Sequence, residues 1–340
     1  MKQAIYKISK SMGLFVVCRW VTRRHIRILG YHGIWLGEGH FGNFLFMSPE
    51  KFARRMQQIK DMGYPVLSLD DALRQRSRRE HPDCTTVITI DDGWYSSFVS
   101  MLPELERQKF TATMYVTTYY SEKQVPVFNV ALQYLFSVTK VQSLGTKELG
   151  LLVENTFDLR ESAQKNQVVG LLQQYADQLS SETERQRLLS QLCERLGVSY
   201  TAILESKLFH LSNANQLQQM AGRGVDIQLH THRHRISVNG ADCVEQELMD
   251  NKCELSQITQ KDLIHFCYPS GIYDKIFWPT LEKLNIVSAT TTETGLVDSQ
   301  SHRYALPRIL DGEVISDIEF EAELSGFGQV KRKILSFIRR

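Results

Sequence analysis

Short apolar runs alternate with stretches of helical periodicity along most of the chain. These runs predict strands, and the β-branched content of residues 86–90 predicts a buried one; the runs cover residues 27–32, 65–69, 86–90, 111–118, 225–229, 263–269, 287–292 and 304–309. Between several of them, apolar residues recur at helical spacing, which predicts amphipathic helices. Seven or eight strands that alternate with helices indicate parallel βα units closing into a barrel.

One long stretch, from about residue 121 to 210, breaks this alternation. It is rich in Gln, Leu and Glu and poor in β-branched runs. Within it, Ser181-Glu182-Thr183-Glu184 is a capping-box pattern, and it begins a helix with Leu188, Leu192 and Leu196 at regular spacing. We predict an α/β barrel with a helical insertion, which serves either as a lid or partner-binding element or only as packing around the barrel.

The predicted domain bounds follow from these patterns. The barrel covers residues 26–312 and includes the insertion, and helix start signals such as Ser48-Pro49 separate its strands. A basic amphipathic segment at 1–25 precedes the barrel. A basic tail at 313–340 follows it.

Basic residues are concentrated at the two ends of the chain. Residues 1–37 carry seven Lys or Arg and no Asp or Glu, and the last ten residues carry five more. Both ends mix these charges with apolar residues, such as Val17 and Trp20 near the start and Leu335 and Phe337 near the end. Helices of this kind bind anionic membrane surfaces; the alternative is a pair of solvated, partly packed terminal helices.

The overall composition is that of an ordinary soluble protein, with 42% hydrophobic and 23% charged residues. A formal charge of +2, without zinc-finger spacing or an aromatic RNA-binding motif, argues against a nucleic-acid partner. The apolar run at 12–18 is shorter than the ~20 residues of a spanning helix and lacks the cleavage site of a signal peptide. Six cysteines without CxxC spacing favour reduced thiols. We therefore expect a cytoplasmic protein, acting at the inner face of the membrane.

Polar residues stand where several predicted strands end, and parallel barrels place their chemistry at these C-terminal ends. We therefore expect the polar groups to meet at one rim. They are His32, Asp91-Asp92, His230 with His234, Pro269-Ser270-Gly271 and Arg308.

His230 and His234 are four residues apart, so one turn of helix or a tight loop brings both imidazoles to one side. With a carboxylate from Asp91-Asp92 they make a His₂-carboxylate metal site, which leaves open positions for water and substrate. Zinc is the favoured ion, with cobalt or nickel as alternatives. One aspartate would bind the metal and the other would take a proton from the attacking water. His232, between the two ligands, is expected in a supporting position.

Further groups would complete this chemistry. A backbone N–H in the segment of Tyr268, Ser270 and Gly271 would stabilise an oxyanion. His32 would protonate the leaving group. Arg308 would orient the base carboxylate and tune its pKa.

Three stretches resemble the motifs of the NodB-like polysaccharide deacetylases, carbohydrate esterase family 4. The first, Ile90-Asp91-Asp92-Gly93, is similar to the family's Thr-Phe-Asp-Asp-Gly. The second, His230-Thr231-His232-Arg233-His234, matches His-Ser/Thr-x-x-His, and the third, Phe266-Cys267-Tyr268-Pro269-Ser270-Gly271, is similar to Phe-x-x-Pro-Tyr-Gly. The resemblance covers residues 27 to 311 except the insertion. It implies a distorted (β/α)₇ barrel and a metal-dependent hydrolase that removes acetyl groups from N-acetylated sugars.

Carried over residue by residue, the resemblance implies distinct roles for the two aspartates. Asp91 would be the base, while Asp92, His230 and His234 would be the metal ligands. Thr231 would help to shape the loop between the histidines.

The chain departs from the family pattern at three points. Cys267 stands where the family often has Arg, and Ser270 stands where it has Tyr; Arg308 would replace the missing Arg. The family's C-terminal Leu-x-His has no good match after residue 280. Ile28–His32 resembles that motif moved to the N-terminus, as in the circularly permuted deacetylases of biofilm poly-N-acetylglucosamine, so the acid is assigned to His32.

The leading hypothesis is a metal-dependent N-deacetylase that acts on a polysaccharide or lipid-linked sugar in surface polysaccharide metabolism. A second enzymatic reading is another amidohydrolase, such as a deformylase or cyclic-imide hydrolase, that uses the same metal site. A third hypothesis is a catalytically silent sugar- or partner-binding member of the same fold. It is favoured by Cys267, Ser270 and the missing C-terminal acid.

Overall fold

The computed structural model describes residues 2–149, 155–237 and 241–338. The chain forms two compact units. The second unit consists of Leu36–Asn43 and Lys123–Leu211, and the first consists of the rest. The strands in chain order are β1 (Arg27–Tyr31), β2 (Gly33–Ile34), β3 (Phe46–Met47), β4 (Thr86–Ile90), β5 (Ala112–Val116), β6 (Ser143–Gly145), β7 (Thr156–Asp158), β8 (Val225–Leu229), β9 (His265–Cys267), β10 (Ser288–Thr294) and β11 (Leu306–Leu310).

The helices alternate with the strands along much of the sequence. In chain order they are α1 (Lys2–Ser11), α2 (Leu14–Val21), α3 (Pro49–Asp61), α4 (Leu69–Arg78), α5 (Leu102–Gln108), α6 (Thr118–Lys123), α7 (Phe128–Val138), α8 (Ser162–Gln178), α9 (Glu182–Arg195), α10 (Tyr200–Ser206), α11 (Ala214–Gly222), α12 (Ala241–Ser256), α13 (Trp278–Lys283), α14 (Asp317–Leu324) and α15 (Phe327–Ile338).

Seven strands of the first unit close a barrel in the order β1-β11-β10-β9-β8-β5-β4. Every neighbouring pair is parallel. Five of the strands, β1, β4, β5, β8 and β9, are buried along their whole length, as expected of parallel strands covered on both faces. The predicted (β/α)₇ barrel is confirmed.

The register of the barrel brings the polar residues of the sequence motifs together. β1 and β4 pair from Arg27 with Thr86 to Tyr31 with Ile90, so His32 and Asp91 leave the barrel side by side. β5 and β8 pair up to Val116 with Leu229. The residues that follow these strands therefore meet at the same C-terminal rim.

One predicted strand is wrong. Residues 65–69 form only an isolated bridge between Val66 and Thr86, and Leu69 already begins α4. The physical reason is the cap: the Ser68 hydroxyl accepts a hydrogen bond from the backbone N–H of Asp71, and this capping contact favours helix over strand. The strand predicted at 263–269 is shorter than expected, since β9 covers only His265–Cys267.

The helix signals of the sequence are confirmed. Pro49 stands at the start of α3. The capping box at Ser181 and Glu184 is present in full, with both side chains bonded to the opposite backbone N–H. Inside the second unit, α9 buries Leu188 and Leu192, and β6 pairs with β7 in a small antiparallel sheet. The segment Leu36–Asn43 also belongs to this unit, which the sequence pattern did not indicate.

The terminal helices pack against one another in the first unit. The rings of Tyr6 in α1 and Phe15 in α2 lie 5.9 and 5.1 Å from the ring of Phe327 in α15. Lys10 in α1 contacts Glu321 in α14 at 2.6 Å. Within the described ranges, no helix combines the length and the apolar character needed to cross a bilayer.

Candidate active site

Loops that follow four barrel strands carry the motif residues, and several of these residues adopt left-handed backbone angles. Asp92 after β4 has φ 72°, Thr231 and His234 after β8 have φ 64° and 55°, and Ser270 after β9 has φ 55°. This conformation is unfavourable for residues other than glycine, and most of all for a β-branched residue such as Thr231. The two histidines are thus held by a tight loop, one of the two geometries that their spacing allowed.

Two imidazoles at this rim approach one carboxylate oxygen. Asp92 Oδ1 lies 3.2 Å from His230 Nε2 and 3.4 Å from His234 Nε2. His230 is buried, and its Nδ1 lies 2.8 Å from the carbonyl oxygen of Cys267. A carbonyl oxygen only accepts, so Nδ1 carries the hydrogen and Nε2 presents a lone pair when the ring is neutral. Two imidazole nitrogens and a carboxylate oxygen then form the donor set that a divalent cation requires.

Neighbouring groups hold these three side chains in place. Trp94 Nε1 donates to Asp92 Oδ2 at 2.8 Å, which leaves Oδ1 directed at the histidines. The backbone N–H of His230 donates to Asn251 Oδ1 at 2.9 Å. Asn251 Nδ2 in turn donates to the carbonyl oxygen of Val116, at 3.0 Å. Such supporting contacts orient ligands and tune metal affinity.

Asp91, beside this cluster, is bound by a buried guanidinium. Arg308 Nη1 and Nη2 donate to its two carboxylate oxygens at 2.7 and 2.8 Å. The Arg308 Nε donates to the carbonyl oxygen of Thr291 at 2.9 Å. The sequence prediction that Arg308 stands at the end of a strand is wrong: it is the third residue of β11, and its long side chain reaches the rim from inside the barrel.

From the sequence, Arg308 is expected to replace the arginine that the family often has at position 267. Cys267, at the family's arginine position, has its Sγ 3.2 Å from Arg308 Nη2 and 3.6 Å from Asp91 Oδ2. A thiol is much smaller than a guanidinium, so the cysteine leaves room for the arginine of β11. Arg308 contacts Asp91, and its role in orienting a base stays a prediction.

The electrostatic environment keeps both aspartates ionised. Burial raises the pKa of Asp91, but the charge and hydrogen bonds of Arg308 outweigh it and hold that pKa below its usual value. Burial also raises the pKa of Asp92, and its contacts with His230 and His234 more than reverse this. Burial lowers the pKa of His234. Burial also lowers the pKa of His230, but Cys267 and Asp92 outweigh it and raise that pKa above its usual value. A metal binds ionised carboxylates and neutral imidazoles, so it would displace the proton that this environment favours on His230.

Within the described part of the chain, two donor groups are close enough to hold one ion. They are Asp92–His230–His234 and Asp91–His230–Cys267, each with donor atoms within 4.8 Å of one another. The second group fits poorly, because both oxygens of Asp91 accept from Arg308 and a cation there would face a buried positive charge. The first group has no such conflict, so its residues fit a divalent metal.

His32 lies next to the predicted base. Its Nε2 is 3.6 Å from Asp91 Oδ2, and its side chain is about one-fifth exposed, with a relative accessibility of 19%. This distance is too long for a hydrogen bond. A small shift or one bridging water would allow proton transfer between the two groups.

In the third motif, Tyr268 is hydrogen-bonded to other parts of the barrel. The hydroxyl of Tyr268 donates to the carbonyl oxygen of Tyr304 at 3.0 Å, and its backbone N–H donates to the carbonyl oxygen of Thr290 at 3.2 Å. Both donors of Tyr268 are therefore engaged within the fold. Gly271 has φ 68°, and a Cβ there would lie 2.3 Å from Thr292 Oγ1, so only glycine fits that position.

His232 does not face the donor cluster. Its Nδ1 contacts Thr118 Oγ1 at 2.8 Å, and its ring lies edge-on to Tyr119. This placement agrees with the supporting position expected for it.

Trp94 and Asn251, which support the candidate metal ligands, were not predicted from the sequence. Trp94 directly follows Asp91-Asp92-Gly93, and this adjacency could have indicated a contact with the aspartates. Its ring is buried and packs on Phe46 at 5.0 Å. Asn251 lies 21 positions after His230 and had no local signal.

Residues 78–289, more than half of the chain, match the family model described as Polysaccharide deacetylase. This match covers the Asp-Asp and histidine motifs. A search of curated proteins finds no significant match.

Several solved structures have a similar fold. The Streptococcus pyogenes deacetylase PplD, solved in complex with acetate, is 19% identical with a TM-score of 0.56 over 88% of this chain and 98% of that one. IcaB from Ammonifex degensii is 13% identical with a TM-score of 0.55 over 88% and 97%. A de-N-acetylase from Aggregatibacter actinomycetemcomitans is 10% identical with a TM-score of 0.53 over 88% and 99%. At such identities the likeness concerns the fold.

Proposed function

The chain belongs to the polysaccharide deacetylase family, and from this premise we propose that it is a metal-dependent hydrolase that removes N-acetyl groups from a saccharide in surface polysaccharide metabolism. The observation that supports the proposal is that two adjacent carboxylates lie in different environments. Asp92 faces two imidazole nitrogens, whereas Asp91 is held by a guanidinium. Such a pair separates ligand binding from proton transfer.

Asp92, His230 and His234 would hold the metal in this proposal. A divalent cation there supplies Lewis acidity, which lowers the pKa of water and polarises a carbonyl group. Zinc is the favoured ion because two imidazoles and one carboxylate suit it, and cobalt and nickel accept the same ligands.

Asp91 would act as the general base. Arg308 keeps its carboxylate ionised and fixes its orientation, so the base is ready to accept a proton from the attacking water. A carboxylate with a lowered pKa is a weak base. It therefore requires an acidified water, and this requirement agrees with metal dependence.

His32 would donate a proton to the leaving nitrogen. Its Nε2 lies near Asp91 Oδ2, at 3.6 Å, so a proton taken by Asp91 has a short route to the imidazole and from there to the amine. The backbone at Ser270, in the left-handed turn after β9, is our proposed additional contact for the oxyanion, since both donors of Tyr268 are engaged.

The substrate would be an N-acetylated polysaccharide or lipid-linked sugar, met in the cytoplasm at the inner face of a membrane. The basic residues at both ends of the chain support this location, as do the exposed apolar residues of the terminal helices.

Acetate release from a panel of N-acetylglucosamine oligomers tests the proposed function. The protein is assayed as purified, after treatment with a chelator, and after addition of zinc, cobalt or nickel. We expect acetate release that the chelator abolishes and at least one metal restores. Release of acetate that is unchanged by complete metal removal would contradict metal dependence.

A matched control uses another buried aspartate of the barrel. Asp226 lies in β8 near its start, and burial raises the pKa of its carboxyl. Asp226→Asn should keep most of the activity, while Asp91→Asn should abolish it. Equal losses in both variants would indicate that the effect is structural.

A further inference from the structure

We propose that α1, α2 and α15 form a docking surface for an anionic lipid bilayer. This binding does not depend on the deacetylase reaction. The solvent side of α2 is apolar. Phe15 and Cys18 are buried, whereas Val16, Val17 and Trp20, on the opposite side, are 72%, 57% and 65% exposed.

This arrangement differs from the usual pattern of a surface helix. An amphipathic helix that packs on a protein core normally presents polar residues to water. In α2 the core side and the solvent side are both apolar, and Arg19 is the only charged residue between Leu14 and Val21. Exposed contiguous apolar surface marks a binding site.

The neighbouring helix α1 extends the same kind of surface. Ile5 and Ile8, which lie on one face of the helix, are 49% and 59% exposed, while Tyr6 and Ser9 face the protein. In α15, Phe337 is 82% exposed. We call Ile5, Ile8, Val16, Val17, Trp20 and Phe337 the apolar docking surface.

Charge identifies a bilayer as the occupant. Every acidic residue of the chain lies within residues 38–330, which carry 38 acidic and 28 basic residues, and the remaining 12 basic residues lie in the two ends. Some of these twelve are paired with acidic residues of the first unit, as Lys10 is with Glu321 and Lys333 is with Asp298. Lys7 in α1 is exposed, and the Arg23 guanidinium lies over the Trp20 ring at 4.6 Å. Basic residues beside apolar ones bind anionic lipid headgroups while the apolar side chains enter the interface.

A second copy of the chain is a less suitable occupant. A symmetric contact would bring the basic ends of two chains together, and like charges in an interface disfavour association. An anionic bilayer attracts the ends and repels the acidic remainder of the molecule, so it also sets the orientation of docking.

Vesicle binding by the full chain tests the inference. The probes are vesicles of phosphatidylcholine alone and of phosphatidylcholine with 30% phosphatidylglycerol, in sedimentation assays at low and high salt. We expect binding to the anionic vesicles that is at least about tenfold tighter and that weakens with salt. The emission of Trp20, the most exposed of the four tryptophans, should shift to shorter wavelength on binding.

Matched variants distinguish vesicle binding through the docking surface from nonspecific adsorption. Val16→Ser/Val17→Ser/Trp20→Ser should weaken vesicle binding by about tenfold or more, because it removes the solvent side of α2. The control Met249→Ser/Val287→Ser/Val314→Ser removes three other exposed apolar side chains and should bind as the unchanged chain does. For charge, Lys7→Glu should weaken binding by about fivefold, whereas Arg54→Glu, on the exposed side of α3, should not.

Three outcomes would overturn the inference. The first is no preference for anionic vesicles. The second is equal binding by the α2 variant and its control. The third is a result that assigns the surface to a second copy of the chain. In that case the unchanged chain is a dimer in analytical ultracentrifugation and binds no vesicles, and the α2 variant is a monomer. Thermal unfolding followed by circular dichroism verifies that each variant is folded.

Discussion

Arg308, in the middle of β11, donates two hydrogen bonds to the carboxylate of Asp91, at 2.7 and 2.8 Å. Both side chains are buried, with relative accessibilities of 0% and 3%. A planar guanidinium matches a carboxylate in this bidentate geometry, and lysine does not. The contact fixes the orientation of the proposed base and keeps it charged, so it links the barrel core to the chemistry at the rim.

Replacement of Arg308 should therefore change the pH dependence of activity. Arg308 lowers the pKa of Asp91, so Arg308→Met should raise it and move the acid limb of the kcat/KM profile to higher pH. Arg308→Lys keeps the charge and should shift the limb less. Acetate release measured from pH 4 to pH 9 checks this order, and an acid limb at the same pH in all three proteins would contradict it.

The same pair has a consequence for stability. The stabilisation from ionised Asp91 is present above its unfolded pKa of about 3.9 and is lost as the pH falls through the lower folded value. Arg308→Met leaves a buried carboxylate without its partner, which should cost about 3–5 kcal/mol at neutral pH. Urea unfolding at neutral pH measures this loss.

Trp94 should set metal affinity through Asp92. Trp94→Phe keeps an aromatic ring against Phe46 but removes the 2.8 Å hydrogen bond to Asp92 Oδ2. Loss of such a support weakens metal binding by about 10- to 100-fold. Isothermal titration with zinc measures the change, and Trp35→Phe, on the same Phe46 ring, is the control. Equal affinity in both variants would contradict the assigned role of Trp94.

His32 should matter only when the leaving group needs a proton. His32→Gln should lower kcat on N-acetylglucosamine oligomers by about 10²-fold or more. With p-nitrophenyl acetate the leaving phenolate is stable without protonation, so the loss should be much smaller. Metal content should stay unchanged. Equal losses on both substrates would exclude His32 as the acid.

His265 should make the stability of the metal-free protein depend on pH. The side chain is fully buried, its Nδ1 lies 2.8 Å from Ser288 Oγ, and burial lowers its pKa to about 4. The unfolded chain has the ordinary value near 6.5, so between pH 6.5 and 4 the unfolded state binds more protons. Stability must therefore fall as the pH falls through this window.

His265→Gln should remove this pH dependence. At pH 4.5 the histidine costs about 2 kcal/mol relative to pH 7, and the variant should lose less stability between these two pH values than the unchanged chain does. His302→Gln, at an exposed position, is the control. An identical pH dependence in both variants, measured by urea unfolding, would contradict the assignment.

The barrel could be predicted from the sequence because its signals are local. Thr86–Ile90 and Val225–Leu229 are short β-branched or apolar runs that are buried along their whole length, and each is followed by the polar residues of a motif. Parallel barrel topology then brings these ends to one rim. The strand predicted at residues 65–69 is wrong because the capping contact of Ser68 with Asp71 favours a helix from Leu69.

The contacts between distant residues could be predicted only in part. Arg308 lies 217 positions from Asp91, and its place inside β11 depends on the register of the closed barrel rather than on a local pattern. The same holds for the Cys267 carbonyl beside His230 Nδ1. Asn251 could not be predicted, because it supports His230 from a helix whose sequence has no metal-site signal.

The most direct test of the central claim measures metal content and acetate release on the same samples of three proteins. The unchanged chain should contain one divalent ion and release acetate. Asp91→Asn should keep the ion and lose about 10³-fold or more of the activity, because it removes only the base. His234→Gln should lose both. Loss of the ion in Asp91→Asn, or full acetate release by His234→Gln, would contradict the assignment of Asp92, His230 and His234 as ligands and Asp91 as base.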